Sequence, residues 1–225
     1  MKISPCNWSV AIVGQWNTAI FTPNIVAEKI FNLPTGSPIA VEVALDAVSP
    51  YRIKHSQHSL VFMARRDRLE IEVADNQIQT LQKSMEIAKN CLDWLRNTPV
   101  EAAGFNLRYK MDELGDACDK LVNIDADSRF SDAGIPIVNR AFHRCFEFNA
   151  GQLNFEVSTD SDANVFVLLN FHRSSRSPDD LIAWLEQPID GVTQEVKKIF
   201  AAAFPDFSEG DLNVNDKTAT SCGTA

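Results

Sequence analysis

The stretch Ala64-Arg-Arg-Asp-Arg-Leu-Glu-Ile-Glu-Val-Ala-Asp75 decides how the chain is read. Leu69, Ile71 and Val73 alternate with Glu70 and Glu72, so one face meets a core and the other meets water, the pattern of a half-buried antiparallel strand. The polar pair Arg66-Asp67 ahead of it supplies the tight turn of a hairpin. A long helix is expected to follow. Ile78, Leu81, Met85, Ala88, Leu92 and Leu95 are spaced 3, 4, 3, 4 and 3 apart, which makes one apolar stripe. Asp75 or Asn76 is expected to cap its start, and Pro99 lies beyond its end.

A second stretch, Asn149-Ala-Gly-Gln-Leu-Asn-Phe-Glu-Val-Ser-Thr-Asp160, has the same character. Leu153, Phe155 and Val157 alternate with Asn154 and Glu156 behind the turn Ala150-Gly151. More strand follows, and then Ser177-Pro178-Asp179-Asp180, a capping serine with proline at the first helical position and acids in the first turn. Pro188 and Gly191 are expected to kink or split this helix before Val192, Val196, Ile199 and Phe200 resume its stripe.

Outward from these anchors, residues 8–21 read as strand with a hairpin around Gly14-Gln15, and Trp8 and Trp16 as structural tryptophans. Thr22 caps a short helix running to Phe31, with Pro23 at its first position. Ile39–Leu45, Tyr51–His55 and Ser59–Arg65 read as strands. In the second half Ala102–Tyr109 is a strand, Met111–Leu121 a short helix, and Asp125–Gly134 a polar loop. Strands are expected over Ile137–Phe148, Gln152–Ser158 and Val165–His172. The tail, residues 208–225, holds too few apolar groups to offset its ordering entropy and is expected to be disordered.

The expected fold class is α+β: two tandem strand–helix–antiparallel meander–helix units, with curved sheets and the long helices on one face. The units span 1–98 and 99–207 and together form one compact domain. This element order is similar to that of the duplicated, saddle-shaped TATA-binding proteins, a resemblance of topology that implies no DNA binding. The motifs Gly104-Phe-Asn-Leu-Arg-Tyr109, Leu168-Leu-Asn-Phe-His-Arg173, Leu181-Ile-Ala-Trp-Leu-Glu186 and Lys197-Lys-Ile-Phe200 resemble a sporadically distributed bacterial family. That resemblance covers the second half, supports the fold, and brings no activity or site residues.

The chain has 225 residues, 45% apolar and 23% charged, the composition of an ordinary globular protein able to bury a core. It shows neither an apolar run of about 20 residues nor the apolar core of a secretory signal, so a cytoplasmic protein is expected. Cys6, Cys91, Cys118, Cys145 and Cys222 include no close pair, which argues against a disulfide framework or structural zinc. The formal net charge of −9 is uneven: residues 1–98 hold 10 Lys/Arg against 9 Asp/Glu, and residues 99–225 hold 11 against 21. An acidic second half repels phosphate backbones.

Two constellations stand out. Arg52, Lys54, His55, His58, Arg65, Arg66 and Arg68 are close in sequence and can meet at one end of the meander as a basic, anion-binding patch, since guanidinium groups grip carboxylates and phosphates in bidentate fashion. His143, Cys145 and Glu147 share one strand face, and His172 with Asp179 or Asp180 can join them, giving His143, Glu147 and His172 as candidate catalytic groups. Neither set has the spacing of a metal site, and the acids around Asp125–Asp132 lack a calcium-loop pattern. No metal and no cofactor is expected. The leading expectation is a non-catalytic module that binds another protein through its sheet face or its acidic half, with self-association through an open sheet edge as a further option. The alternatives are a small-molecule binder or enzyme with a pocket between sheet and helices, and a nucleic-acid binder using Arg52, Lys54, Arg65, Arg66 and Arg68.

Overall fold

Two 12-residue strands, β1 (Ile3–Gly14) and β6 (Val100–Met111), lie side by side and antiparallel in the computed structural model, which describes residues 2–45, 49–111, 120–124, 126–160, 164–208, 210 and 212. The remaining strands are β2 (Ala40–Glu42), β3 (Arg52–His55), β4 (Leu60–Ala64), β5 (Arg68–Val73), β7 (Arg140–Phe148), β8 (Gly151–Thr159) and β9 (Val165–Ser174). They form one antiparallel sheet in the order β2-β3-β4-β5-β1-β6-β9-β8-β7. The fold is therefore α+β.

Alternation sets the core face of each strand. Leu69, Ile71 and Val73 of β5, Phe105, Leu107 and Tyr109 of β6, Leu153, Phe155 and Val157 of β8, and Val167, Leu169 and Phe171 of β9 are all buried. Helices cover this face. They are α1 (Pro23–Ile25, continued by a π-helical turn Val26–Ile30), α2 (Ile78–Trp94), α4 (Pro178–Leu185) and α5 (Ile189–Ala203), while α3 (Ala126–Asp132) lies near β7. The α2 stripe is buried at Leu81, Met85, Ala88 and Leu92 as its spacing predicts. From α5, Phe200 meets Tyr109 at 5.2 Å and Phe204 meets Phe155 at 6.4 Å, and Trp184 of α4 packs on Phe148 at 5.9 Å. Ser177 caps α4 by accepting from Asp180 N, and Pro188 divides α4 from α5. Trp8 and Trp16 are both buried. No helix among the described residues is long and apolar enough to cross a membrane.

Several expectations are corrected. No hairpin turns at Gly14-Gln15. Instead Gly14 N donates to Asp67 O, Gln15 N to Pro99 O and Trp16 N to Arg66 O, which holds the end of β1 between the turns of its neighbours. A Cβ at Gly14 would lie 2.6 Å from Pro99 O, so only glycine fits. Asn76 does not cap α2. At φ 50° it turns its Oδ1 to Trp8 N, next to a bulge in β1 where Asn7 also takes a left-handed conformation. Asp75 does the local work, accepting from Gln77 N and the Thr80 hydroxyl. The two stretches first singled out are not equivalent in the sheet: β5 pairs with central β1, whereas β8 is separated from central β6 by β9. Strand 39–45 shortens to the exposed β2. The polar loop is largely α3. Met111 ends β6; residues 112–119 of the expected short helix lie outside the described residues, as do 209, 211 and 213–225 of the tail, while Lys120 and Leu121 at its end are helical.

Candidate functional site

The sheet face opposite the helices carries the outward residue of every strand and, among the described residues, no helix, and one row of it is unusual. In successive registers Cys145, Asn154, Asn170, Asn106, Ser9 and Glu72 stand side by side across β7, β8, β9, β6, β1 and β5. Their side chains are linked. The Asn154 amide nitrogen donates to Asn170 Oδ1 at 3.0 Å, the Asn170 nitrogen to Asn106 Oδ1 at 2.7 Å, and the Asn106 nitrogen to Ser9 Oγ at 3.2 Å. Three amides in one chain hold one another's rotamers, and each keeps lone pairs or protons free for a ligand. Antiparallel pairing brings them together because each occupies the outward position of an apolar–Asn–apolar triplet: Phe105-Asn106-Leu107, Leu153-Asn154-Phe155 and Leu169-Asn170-Phe171. That recurring triplet is the sequence signal for the row; alternation by itself marks Asn154 only as the outward residue of an amphipathic strand.

Charged groups flank the row. Arg52 grips Glu72 with two bonds, of 3.0 and 2.5 Å, and reaches Glu42 at 3.2 Å, and Glu42 also pairs with Lys54. These contacts raise the Arg52 guanidinium above its ordinary pKa, the Glu72 bond contributing most. Lys54 is the main cause holding Glu42 below the usual carboxylate range. Arg108 lies over the Phe166 ring at 4.2 Å, a cation–π contact on the same face.

The basic patch does not assemble. His55 and His58 sit at the β3–β4 turn, while Arg65 and Arg66 sit at the β4–β5 turn, the opposite end of β4. Five residues of strand separate the two turns by about 17 Å. Arg52 and Lys54 are neutralised by Glu72 and Glu42. His55 points to the core, 4.8 Å from Phe31 and 4.5 Å from His58, and burial, with lesser effects of His58 and Lys83, lowers its pKa. Arg65 and Arg66 remain exposed at the rim of a cavity of about 910 Å³ that Phe21, Tyr51 and Phe62 also line, and Arg68 is exposed on the sheet face.

The second candidate set is split. Glu147 and His172 face a shallow cleft of about 530 Å³ beside the β7–β8 turn, together with Asn149, Gln152 and Ser174. His143 lies four residues back along β7, opposite Glu156, and is not in that cleft. Asp180 is held by Ser175 at 2.9 Å and Arg173 at 3.5 Å, and Asp179 by Arg96 at 2.8 Å, so neither joins His172. Asn154 Nδ2 stands 3.3 Å from His172 Nδ1. An amide NH2 group only donates, so this contact is a hydrogen bond when Nδ1 is the accepting nitrogen of the ring. Cys145 is an exposed free thiol; Cys6 and Cys91 are buried, and burial pushes the Cys91 thiol far up, which makes it inert. Cys118 and Cys222 lie outside the described residues.

No family model matches the chain, and no curated protein matches it.

Proposed function

We propose that this chain is a binding module whose helix-free sheet face is its contact surface for another protein. The observation that carries the reading is the hydrogen-bonded row Asn154–Asn170–Asn106–Ser9 across the middle of that face. Amides fixed by one another are pre-organised donors and acceptors, so a partner binds them without first freezing loose side chains. The charges around the row are mixed: Arg52, Lys54, Arg68, Arg108 and Lys110 share the face with Glu42, Glu70, Glu72, Glu147 and Glu156. Balance of this kind suits a polypeptide better than a phosphate backbone, which favours protein over nucleic acid. The reading includes an internal duplication similar in topology to the TATA-binding proteins. Its support is the strand order, in which β5, β4 and β3 follow β1 outward as β9, β8 and β7 follow β6.

The test uses a partner recovered from the protein's own host and then purified. Asn106→Arg, which fills the middle of the row, is expected to weaken binding at least tenfold, while Lys198→Glu on the helical side leaves it unchanged. Equal affinities for wild type and Asn106→Arg would remove the sheet face from the account.

The cleft holding Glu147 and His172 favours a second reading, a small-molecule site. A compound that raises the melting temperature of wild type but not of His172→Ala supports it; a shift that survives His172→Ala and Glu147→Gln places the compound elsewhere.

A further inference from the structure

The sheet's two edges are unlike. β2 is three residues long and its neighbours are tied in ion pairs through Glu42, the usual protection of an edge. β7 is nine residues long, and His143, Arg144, Cys145, Phe146 and Glu147 are all exposed, Phe146 to 40%. Its register against β8 is continuous from Phe148↔Gly151 back to Arg140↔Thr159, closed by the two-residue turn Asn149-Ala150. In such a hairpin the residues flanking the turn exchange both backbone bonds, and bonding then alternates. His143, Cys145 and Glu147 therefore direct their N–H and C=O groups away from β8. One contact supports this independently: the His143 carbonyl accepts a bond of 2.7 Å from the guanidinium of its neighbour Arg144.

We propose that β7 pairs antiparallel with β7 of a second copy of this chain, centred on Cys145. The strand's own sequence selects that partner and that register. Around Cys145 the segment Phe142-His-Arg-Cys-Phe-Glu-Phe148 is chemically self-complementary. Phe142 falls opposite Phe148, His143 opposite Glu147, Arg144 opposite Phe146, and Cys145 opposite itself. His143 and Glu147 share the helix-free face, so the imidazole meets a carboxylate twice about the two-fold axis. Arg144 and Phe146 share the other face. There the guanidinium, now 4.3 Å from the Phe142 ring, meets the exposed Phe146 of the partner as a cation–π pair. The outward backbone groups of His143, Cys145 and Glu147 then satisfy those of the other copy in about six bonds. Centring on Arg144 instead opposes two guanidinium groups, which disfavours that register. The pairing joins the two sheets edge to edge and makes their helix-free faces one surface.

Sedimentation velocity on the full chain over a micromolar concentration series tests this. Wild type is expected to dimerise. Cys145→Pro removes the outward N–H at the two-fold without touching the bonds to β8, and is expected to raise the dimer Kd by about tenfold or more. Glu147→Lys is expected to do the same by charge, and His143→Glu with Glu147→Lys to restore the dimer, which keeps the test decisive if the proline variant does not fold. In a chain carrying Cys118→Ser and Cys222→Ser, a short bis-maleimide is expected to link two copies through Cys145, and none once Cys145→Ser is added. A chain that stays monomeric to about 100 µM, a dimer indifferent to Glu147→Lys, or cross-linking that survives Cys145→Ser would each overturn the proposal.

Discussion

Replacing Gly104 by alanine tests the packing of the sheet's centre. Gly104 lies on β6 between Ala11 of β1 and His172 of β9. A Cβ there would sit 2.4 Å from Phe171 O, 2.8 Å from His172 Cβ and 3.0 Å from His172 Cα. The first distance is about 1 Å short of ordinary contact, and two of the three atoms are main chain, which cannot rotate aside. Relief requires β6 and β9 to part where Asn106 and Asn170 bond, while β1 holds β6 from the other side. That puts the cost near the top of the overpacking range, about 3 kcal/mol. For a chain of this size, about 2–4 °C per kcal/mol gives a melting point lower by roughly 6–12 °C. Equilibrium urea unfolding at matched m-value is the assay. Gly191→Ala in α5 serves as the control: nothing lies within 4 Å of its Cβ, and loss of a helical glycine is expected to stabilise by about 0.5–1 kcal/mol. A Gly104→Ala penalty under about 0.5 kcal/mol would refute the reasoning, since it would mean that the strands separate freely.

Two further predictions concern polar groups. Asn170→Ala removes two bonds of the amide row from half-exposed positions where water can partly replace them, so a loss of about 1 kcal/mol is expected by urea unfolding. Paired with Asn106→Ala, the two losses are expected to fall short of additivity by about 0.5 kcal/mol or more; strict additivity would dissolve the network. His55 is buried and its pKa depressed, so above about pH 6.5 it is neutral in both folded and unfolded chains and the full stability is present. As pH falls below about 6.5 the unfolded chain takes up a proton that the fold resists, and stability declines toward the folded value. His55→Leu is expected to flatten the melting temperature between pH 6.5 and 5. Glu42, whose pKa is lowered from 4.5, loses its contribution only below that range, so an unchanged slope in His55→Leu would contradict the assignment.

What the sequence made legible was local. The α2 stripe, the Ser177 cap, the break at Pro188 and the Arg66-Asp67 turn each rest on interactions within a few residues, and each is present as read. Pairing at long range was not legible. The alternations at 69–73 and 153–157 look alike because both strands are buried on one side, yet β5 touches a central strand and β8 does not, a difference that resides in the partners. Asn76 shows the same limit. Its sequence context is that of a helix cap, but the unpaired Trp8 N–H, 68 residues away, claims its oxygen. The candidate sites fared accordingly. Arg52, Lys54, His55, His58, Arg65, Arg66 and Arg68 are neighbours along the chain, and the hairpin that carries them sends them to opposite ends and faces of the sheet. Glu147 and His172, far apart in sequence, line one cleft, and the amide row joins three strands whose register no local pattern reveals.

The most direct test of the binding-face account is photo-cross-linking in the protein's own host. A photoreactive amino acid is placed either at Asn154, in the amide row, or at Lys198, on the outward side of α5 and 74% exposed. The account predicts a discrete adduct with one other protein from position 154 and none from position 198. An adduct from 198 alone, or none from 154, would contradict it.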